Sequence, residues 1–282
     1  MQWYWWVLIL VLVLALAGAA FAAWWFLFRV KSPPPIGKKF EVWYGRVNAW
    51  ANDKRRLEKD VKACRKAGVK GYHIEMMGWA RHDAWTPDWL KKTEEMYNYL
   101  LKLCRKNGLR LFVSIVNDNM GSGKYGDPKV PLSRVLPQAM ELIEIVKRGG
   151  PANVVVQPAG ETQSSAGPGF EQACLQRLGG KFVLVYNGGM GRPGGVPGGF
   201  AYRAWHPFKI SDKIPGDAIA VSDTGMIIAQ LGVGLDGPAK PGVLEGWAKQ
   251  VRAQGCPVCC YYAFKFDGHD KAGIEALGRA AK

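Results

Sequence analysis

Charge is missing from the start of this sequence: from Trp3 to Phe28 there is no Asp, Glu, Lys or Arg, no Pro and a single Gly. No basic residue precedes that run, which argues against a cleaved leader, since a leader opens on positive charge and keeps its apolar stretch short. Leu16-Ala17-Gly18-Ala19-Ala20-Phe21-Ala22-Ala23 does offer small-residue cleavage sites, but the apolar run continues past them through Trp24-Trp25-Phe26-Leu27-Phe28. Between Phe40 and Lys282 there is no second linker and no low-complexity block, so this stretch reads as one large domain. Cys256-Pro257-Val258-Cys259 has no second C-x-x-C to complete a zinc site, and the six cysteines read as small buried hydrophobes. No basic-aromatic stripe or nucleic-acid motif occurs, which leaves specific nucleic-acid binding unsupported. No Gly-rich turn comes after the first apolar run of the domain, where Gly45-Arg46-Val47-Asn48 stands, so an open doubly wound sheet lacks its usual phosphate turn.

What the sequence has, first, is length in that uncharged run. Twenty-six helical residues rise about 39 Å, against a hydrocarbon core of roughly 30 Å. Trp3, Tyr4, Trp5 and Trp6 at one end and Trp24, Trp25, Phe26 and Phe28 at the other suit the two headgroup levels. The 13 Leu, Val, Ile and Phe between Val7 and Phe28 favour insertion by roughly 4 to 8 kcal/mol. The expectation is a single-pass anchor over residues 1–31 with the lipid bilayer as partner, in a cell inner membrane or a virion membrane. Arg29, Lys31, Lys38 and Lys39 come after the run, and the positive-inside rule would keep the remainder of the chain on the cytoplasmic side or its virion equivalent. Residues 32–39, with Pro33-Pro34-Pro35, read as a stiff spacer. The net charge of +15 would draw the protein towards anionic surfaces, and beside an anchor the lipid headgroups are the nearest.

From Phe40 onwards short β-branched or aromatic runs alternate with amphipathic ones. Strands are predicted at Glu41–Gly45, Gly71–Glu75, Arg110–Val116, Asn153–Gln157, Phe182–Tyr186, Phe200–Trp205, Ala218–Ser222 and Pro257–Phe264. Helices are predicted at Asp53–Ala67, Thr86–Lys106, Ser133–Lys147, Gly169–Leu178, Gly242–Gln254 and Ala272–Ala281. The strands are almost continuously apolar, as in a parallel sheet covered on both faces. Eight such strands in the stretch 40–282 match an α/β fold of the (β/α)8 TIM-barrel type.

In such a barrel the chemistry gathers where strands end. The residues there are Glu75; Asn117 and Asn119; Glu161; Asn187; Trp205 and His206; Asp223; and Lys265, Asp267 and His269. Carboxylates suit glycoside cleavage, and amides and aromatic faces suit a polyhydroxylated ring. Over 40–282 the chain resembles the glycoside hydrolase barrels of the clan of cellulases and mannanases. That resemblance implies Glu161 as general acid/base after strand four, Asp223 as nucleophile or base after strand seven, and a functional His206. Glu75 is a further catalytic candidate, as partner or alternative acid. Asn117, Asn119, Asn187, Tyr202, Trp205, Tyr262, Phe264 and Asp267 are the candidate substrate-binding residues. The chain departs from the family where Gly160 replaces the usual Asn before the first carboxylate and Asp223 replaces the usual Glu. A carboxyl gap of about 5–5.5 Å would mean retention and one of about 6.5–9.5 Å inversion. Taken with the anchor read from Trp3–Phe28, the resemblance implies a membrane-anchored hydrolase of an envelope or cell-surface polysaccharide, needing no cofactor or metal. Two alternatives stand beside it: a non-catalytic glycan-binding or structural barrel of a membrane, and a phosphate-substrate barrel using Lys265 as a Schiff-base amine.

Overall fold

A computed structural model describes residues 3, 13, 14, 18, 35, 36, 38–46, 54–77, 87–116, 132–159, 169–187, 196–207, 212–222, 240–263 and 269–282. The chain divides into two compact units, Met1–Ser32 and Pro33–Lys282. In the first, Trp3, Val13, Leu14 and Gly18 are helical, and the three apolar side chains are exposed. The rest of the expected anchor lies outside the described residues. Among the described residues no helix is long and apolar enough to cross a membrane.

The second unit is a closed barrel of eight strands: β1 (Glu41–Arg46), β2 (Gly71–Met77), β3 (Arg110–Val116), β4 (Val154–Ala159), β5 (Val183–Asn187), β6 (Tyr202–Trp205), β7 (Ala218–Ser222) and β8 (Val258–Ala263). Each strand runs parallel to its neighbours in chain order, and β1 pairs with β8 from Glu41↔Val258 to Arg46↔Ala263 to close the ring. Six described helices join them: α1 (Lys54–Ala67), α2 (Pro87–Asn107), α3 (Leu132–Gly149), α4 (Gly169–Leu178), α5 (Pro241–Ala253) and α6 (Lys271–Ala280). The elements agree with the sequence pattern, with two consequential shifts. β2 runs on to Met77 and β4 to Ala159, so Glu75 and Gln157 lie inside strands rather than at their last positions.

Helix termini obey local chemistry. In α1 the side chains of Leu57, Val61 and Cys64 recur at helical spacing and are buried. The helix stops at Gly68, whose φ of 87° is open to glycine, and Val69 N–H returns to the Cys64 carbonyl at 2.9 Å. The end of α2 repeats this at Gly108, with Leu109 N–H bonded to the Cys104 carbonyl at 3.0 Å.

Two apolar clusters result from the alternation along each strand. The larger lies between sheet and helices and includes Tyr44, Ile74, Leu111, Val113, Val156, Trp247 and Leu277. The smaller comes from the opposite strand faces and fills the lumen: Trp43, Phe112, Val155, Val185, Ala204, Ile219, Val221, Val258, Cys260 and Tyr262, with Ile36. All six cysteines are buried, and none is in a disulfide.

Large lumen residues are matched by glycines on the neighbouring strand. Trp43 pairs with Gly71, and a Cβ on Gly71 would stand 2.5 Å from the indole. Gly45 pairs with His73 on one side and Tyr262 on the other, and its own Cβ would meet the His73 carbonyl oxygen at 2.3 Å. The imidazole and phenol rings therefore meet across β1, with centroids 5.2 Å apart.

The end of the lumen where the strands begin is sealed. Arg110 grips Glu41 through Nε and Nη2, both at 3.0 Å, and the Trp43 indole donates to the same carboxylate at 2.8 Å. Ile36 lies over this floor, its carbonyl accepting from the Tyr202 hydroxyl at 2.8 Å. Outside β1, buried Asp60 of α1 accepts from Arg46 at 2.5 Å and contacts His269 Nδ1 at 2.7 Å, tying the start of α6 to α1. Asp270 then caps α6 by accepting from Gly273 N–H at 2.9 Å, and burial raises its pKa.

Gly71→Ala should lower unfolding free energy by about 1–3 kcal/mol, because the indole has to leave its site; equilibrium urea denaturation measures it. Arg110→Met should cost more, about 3–5 kcal/mol, by stranding a buried carboxylate, and Glu41→Gln in the same chain should recover part of that loss.

Candidate active site

Seen along the lumen, the polar positions are ordered by register. Glu75 of β2 stands opposite Ser114 of β3, and Ser114 opposite Gln157 of β4. All three are buried, at 3%, 1% and 1% exposure. They share the inward side of their strands with Gly71 and His73, Phe112, and Val155 respectively. Hydrophobic burial places these strands, and the polar row is carried on it one layer nearer the strand ends than Phe112 and Val155.

The row is bonded laterally and downwards. The Ser114 hydroxyl donates to Gln157 Oε1 at 3.0 Å, and its oxygen lies 2.9 Å from His73 Nε2. The His73 ring packs on Phe112, centroids 4.6 Å apart, and against Tyr262. Its Nδ1 is buried without a hydrogen-bond partner among the described residues. Burial first, and the neighbouring His206 second, lower the His73 pKa from 6.5 to about 3. The ring is therefore neutral at any physiological pH. His206 comes directly after β6, is buried at 4% exposure, and has the inward parity of Tyr202 and Ala204.

Of the candidates taken from the sequence, the structure brings Glu75, His206 and Tyr262 into one lumen neighbourhood. Two are corrected. Tyr202 begins β6 and is spent on the floor, bonded to the Ile36 carbonyl at the end opposite the strand termini. Trp205 has the other parity and packs into the layer between sheet and helices. Asn187 closes β5, but its side chain lies outside the described residues, as do Asn117, Asn119, Glu161, Asp223, Phe264, Asp267 and Lys265. His269 belongs to the Asp60 contact outside β1. His73, Ser114 and Gln157 were not among the candidates. Their signal was a polar residue at inward parity within an apolar run, as in Phe112-Val113-Ser114-Ile115. Among the described residues no group of His, Cys, Asp and Glu is placed to hold a metal.

No protein-family model and no curated protein matches this sequence. Solved structures do match in fold. An endo-1,4-beta-mannanase from Rhizomucor miehei aligns with a TM-score of 0.55 at 8% identity, over 88% of this chain and 95% of that one. An endo-beta-1,4-mannanase from Thermotoga petrophila aligns at 0.51 and 10% identity, over 87% and 77%. A glycoside hydrolase family 5 protein from Bacteroides vulgatus aligns at 0.51 and 11%, over 86% and 65%. The barrel's structural neighbours are thus glycoside hydrolases. At such identities they show a shared fold, (β/α)8, and the chemistry has to be argued from this chain's own residues.

The His73 environment has a measurable consequence. Between pH 6.5 and about 3 the unfolded chain holds a proton on this histidine that the folded chain does not. Its contribution is fully present above pH 6.5 and is lost as pH falls, at up to about 1.4 kcal/mol per pH unit. His73→Gln should flatten that slope. Urea midpoints at pH 7, 5.5 and 4 test this, and parallel losses in both proteins would count against it.

Proposed function

We propose that the barrel is a glycoside hydrolase-like enzyme acting on a polysaccharide of a cell envelope or cell surface. The observation that carries this reading is the in-register polar row Glu75, Ser114 and Gln157, with His206, on the lumen side near the strand ends. A layer of amide, hydroxyl, imidazole and carboxylate groups suits ligands dense in hydroxyls, and it lies in the part of the fold where barrel enzymes work. Glu161 comes two residues after β4, and Asp223 directly after β7. In this proposal Glu161 protonates the leaving oxygen, and Asp223 acts as nucleophile or as base on a water. Glu75 and His206 tune their charge. The likeness in fold to mannanases supports the same class without fixing the sugar.

The proposal extends to place. The uncharged run Trp3–Phe28 would anchor the protein as a single-pass chain in a cell inner membrane or virion membrane. The Pro-rich residues 32–39 would then act as spacer.

One observation favours a second reading, a barrel that binds glycan without cutting it. Gly160 stands where the resembling enzymes carry Asn, and the second carboxylate is the shorter Asp223. Glu161→Gln and Asp223→Asn separate the two readings. For a hydrolase each should slow release of reducing ends from mannan, β-1,4-glucan or bacterial cell wall by at least about 100-fold. Oligosaccharide binding with no turnover in the unsubstituted protein would select the second reading. Turnover unchanged in both variants would remove these carboxylates from the mechanism.

A further inference from the structure

Helices of a (β/α)8 barrel run back against its strands, so each helix ends at the level where strands begin. Here that level is the sealed floor. The last turn of every helix from α1 to α6 carries Arg or Lys and no Asp or Glu. First turns, at the mouth, are mixed, with Asp88 on α2 and Glu171 on α4 against Lys54 and Arg55 on α1. A helix dipole favours a cation at its C-terminus, which accounts for the helix ends. It does not account for the lysines on the segments that lead into the strands. Lys38 and Lys39 come before β1, Lys70 before β2, Lys181 before β5 and Lys213 before β7, and all five are exposed. Lys70 is fixed at the floor by its backbone. Its N–H donates to the Val42 carbonyl and its carbonyl accepts from Arg110 N–H, both at 2.9 Å. Next to Lys213, Ile214 N–H donates to Gln254 Oε1 at 2.6 Å, at the end of α5. None of these five lysines has an ion-pair partner among the described residues. The acids nearest this end are committed elsewhere: Arg110 holds Glu41 at 3.0 Å, Arg177 holds Glu144 at 2.7 Å and Arg203 holds Asp217 at 2.7 Å.

We infer that the floor of the barrel is a docking face for the phosphate-bearing headgroups of an anionic lipid surface, with the mouth turned away from that surface. Lipid is selected over other polyanions by the layout. The lysines belong to the approaches to β1, β2, β5 and β7, which are distributed around the ring, so the charge covers a face rather than following a groove. A plane of headgroups complements such a face. The floor is closed by Ile36 and the Glu41–Arg110–Trp43 bonds and offers no slot for a base. No aromatic side chain among the described residues of the barrel is exposed for a base to stack on, as single-stranded nucleic acid requires. The chain also enters the barrel on this face. Ile36 follows the end of the uncharged run at Phe28 by 8 residues, a reach of at most about 29 Å. That last argument rests on the anchor reading above; the charge of the floor does not.

The test mixes the full chain, at low salt, with vesicles of phosphatidylcholine alone or of phosphatidylcholine with phosphatidylglycerol. Lysine acetylation is then read residue by residue by mass spectrometry. The anionic vesicles should protect Lys38, Lys39, Lys70, Lys181 and Lys213. They should leave Lys54, Lys240 and Lys271, at the starts of α1, α5 and α6, as reactive as with the neutral ones. High salt should remove the protection. Lys70→Gln, Lys181→Gln and Lys213→Gln together should lower the ratio of docked to free barrel roughly 100-fold, at about fivefold for each lysine. The same change at Lys54, Lys240 and Lys271 should leave that ratio unaltered. Equal labelling on the two kinds of vesicle, or protection centred on the helix starts, overturns the proposal. So does a duplex oligonucleotide that shields the five lysines when anionic vesicles do not, which would give the face to nucleic acid. Flotation with the neutral vesicles reports the uncharged run alone. A failure of the anchor reading shows there, while the difference between the two vesicle types decides the floor.

Discussion

A ring of eight parallel strands closes only if the side chains it turns inward fill the lumen without pushing the strands apart. In this barrel that constraint falls on β1. It is the strand that joins β2 to β8, and on its inward face it carries both the large Trp43 and Gly45, which has no side chain. Trp43 is admitted because Gly71 faces it, and His73 because Gly45 does. Each strand thus yields space where its neighbour needs it, and tight packing allows little slack in such an exchange. The polar row above inherits its position from this fit. Were β1 and β2 displaced by one residue, alternation would send His73 and Glu75 into the helix layer.

The same alternation explains what was legible in the sequence. Continuous apolar runs separated by amphipathic ones set the number, order and approximate bounds of the strands, because parallel strands buried on both faces have little choice of composition. Gly68 and Gly108 marked helix ends because only a residue free of Cβ takes that backbone conformation cheaply. Inward and outward positions were harder. Strands apolar on both faces carry no contrast from which to read parity, so Tyr202 and Trp205 stand together among the candidate substrate-binding residues though one serves the floor and the other the helix layer. His73 and Ser114 were illegible for a related reason. A polar residue just past an apolar run stands out by position, whereas these two sit within their strands and gain their meaning from a partner some 40 positions away.

The fold and the chemistry rest on different kinds of support. The barrel is established by its strand pairing and by its likeness to solved glycoside hydrolases. The proposed chemistry rests on placement. Apolar residues occupy the middle of the lumen, and carboxylate, amide, hydroxyl and imidazole groups occupy the layer nearer the strand ends. Burying so many polar groups costs stability unless each is bonded, and Ser114 bonds to its neighbours on both sides, Gln157 and His73. That Glu161 and Asp223 come next along the chain after β4 and β7 connects this row to the carboxylate pair of the proposal.

The sealed floor has a consequence for traffic. With Glu41, Arg110 and Trp43 locked together and Ile36 seated over them, the tube is blind at the end where its strands begin. Anything that reaches the polar row has to come from the side where the strands end. A polymer cannot thread such a tube. On the proposed reading a polysaccharide could meet the polar row only from the side where the strands end, and so only by a stretch or an end of its length at a time.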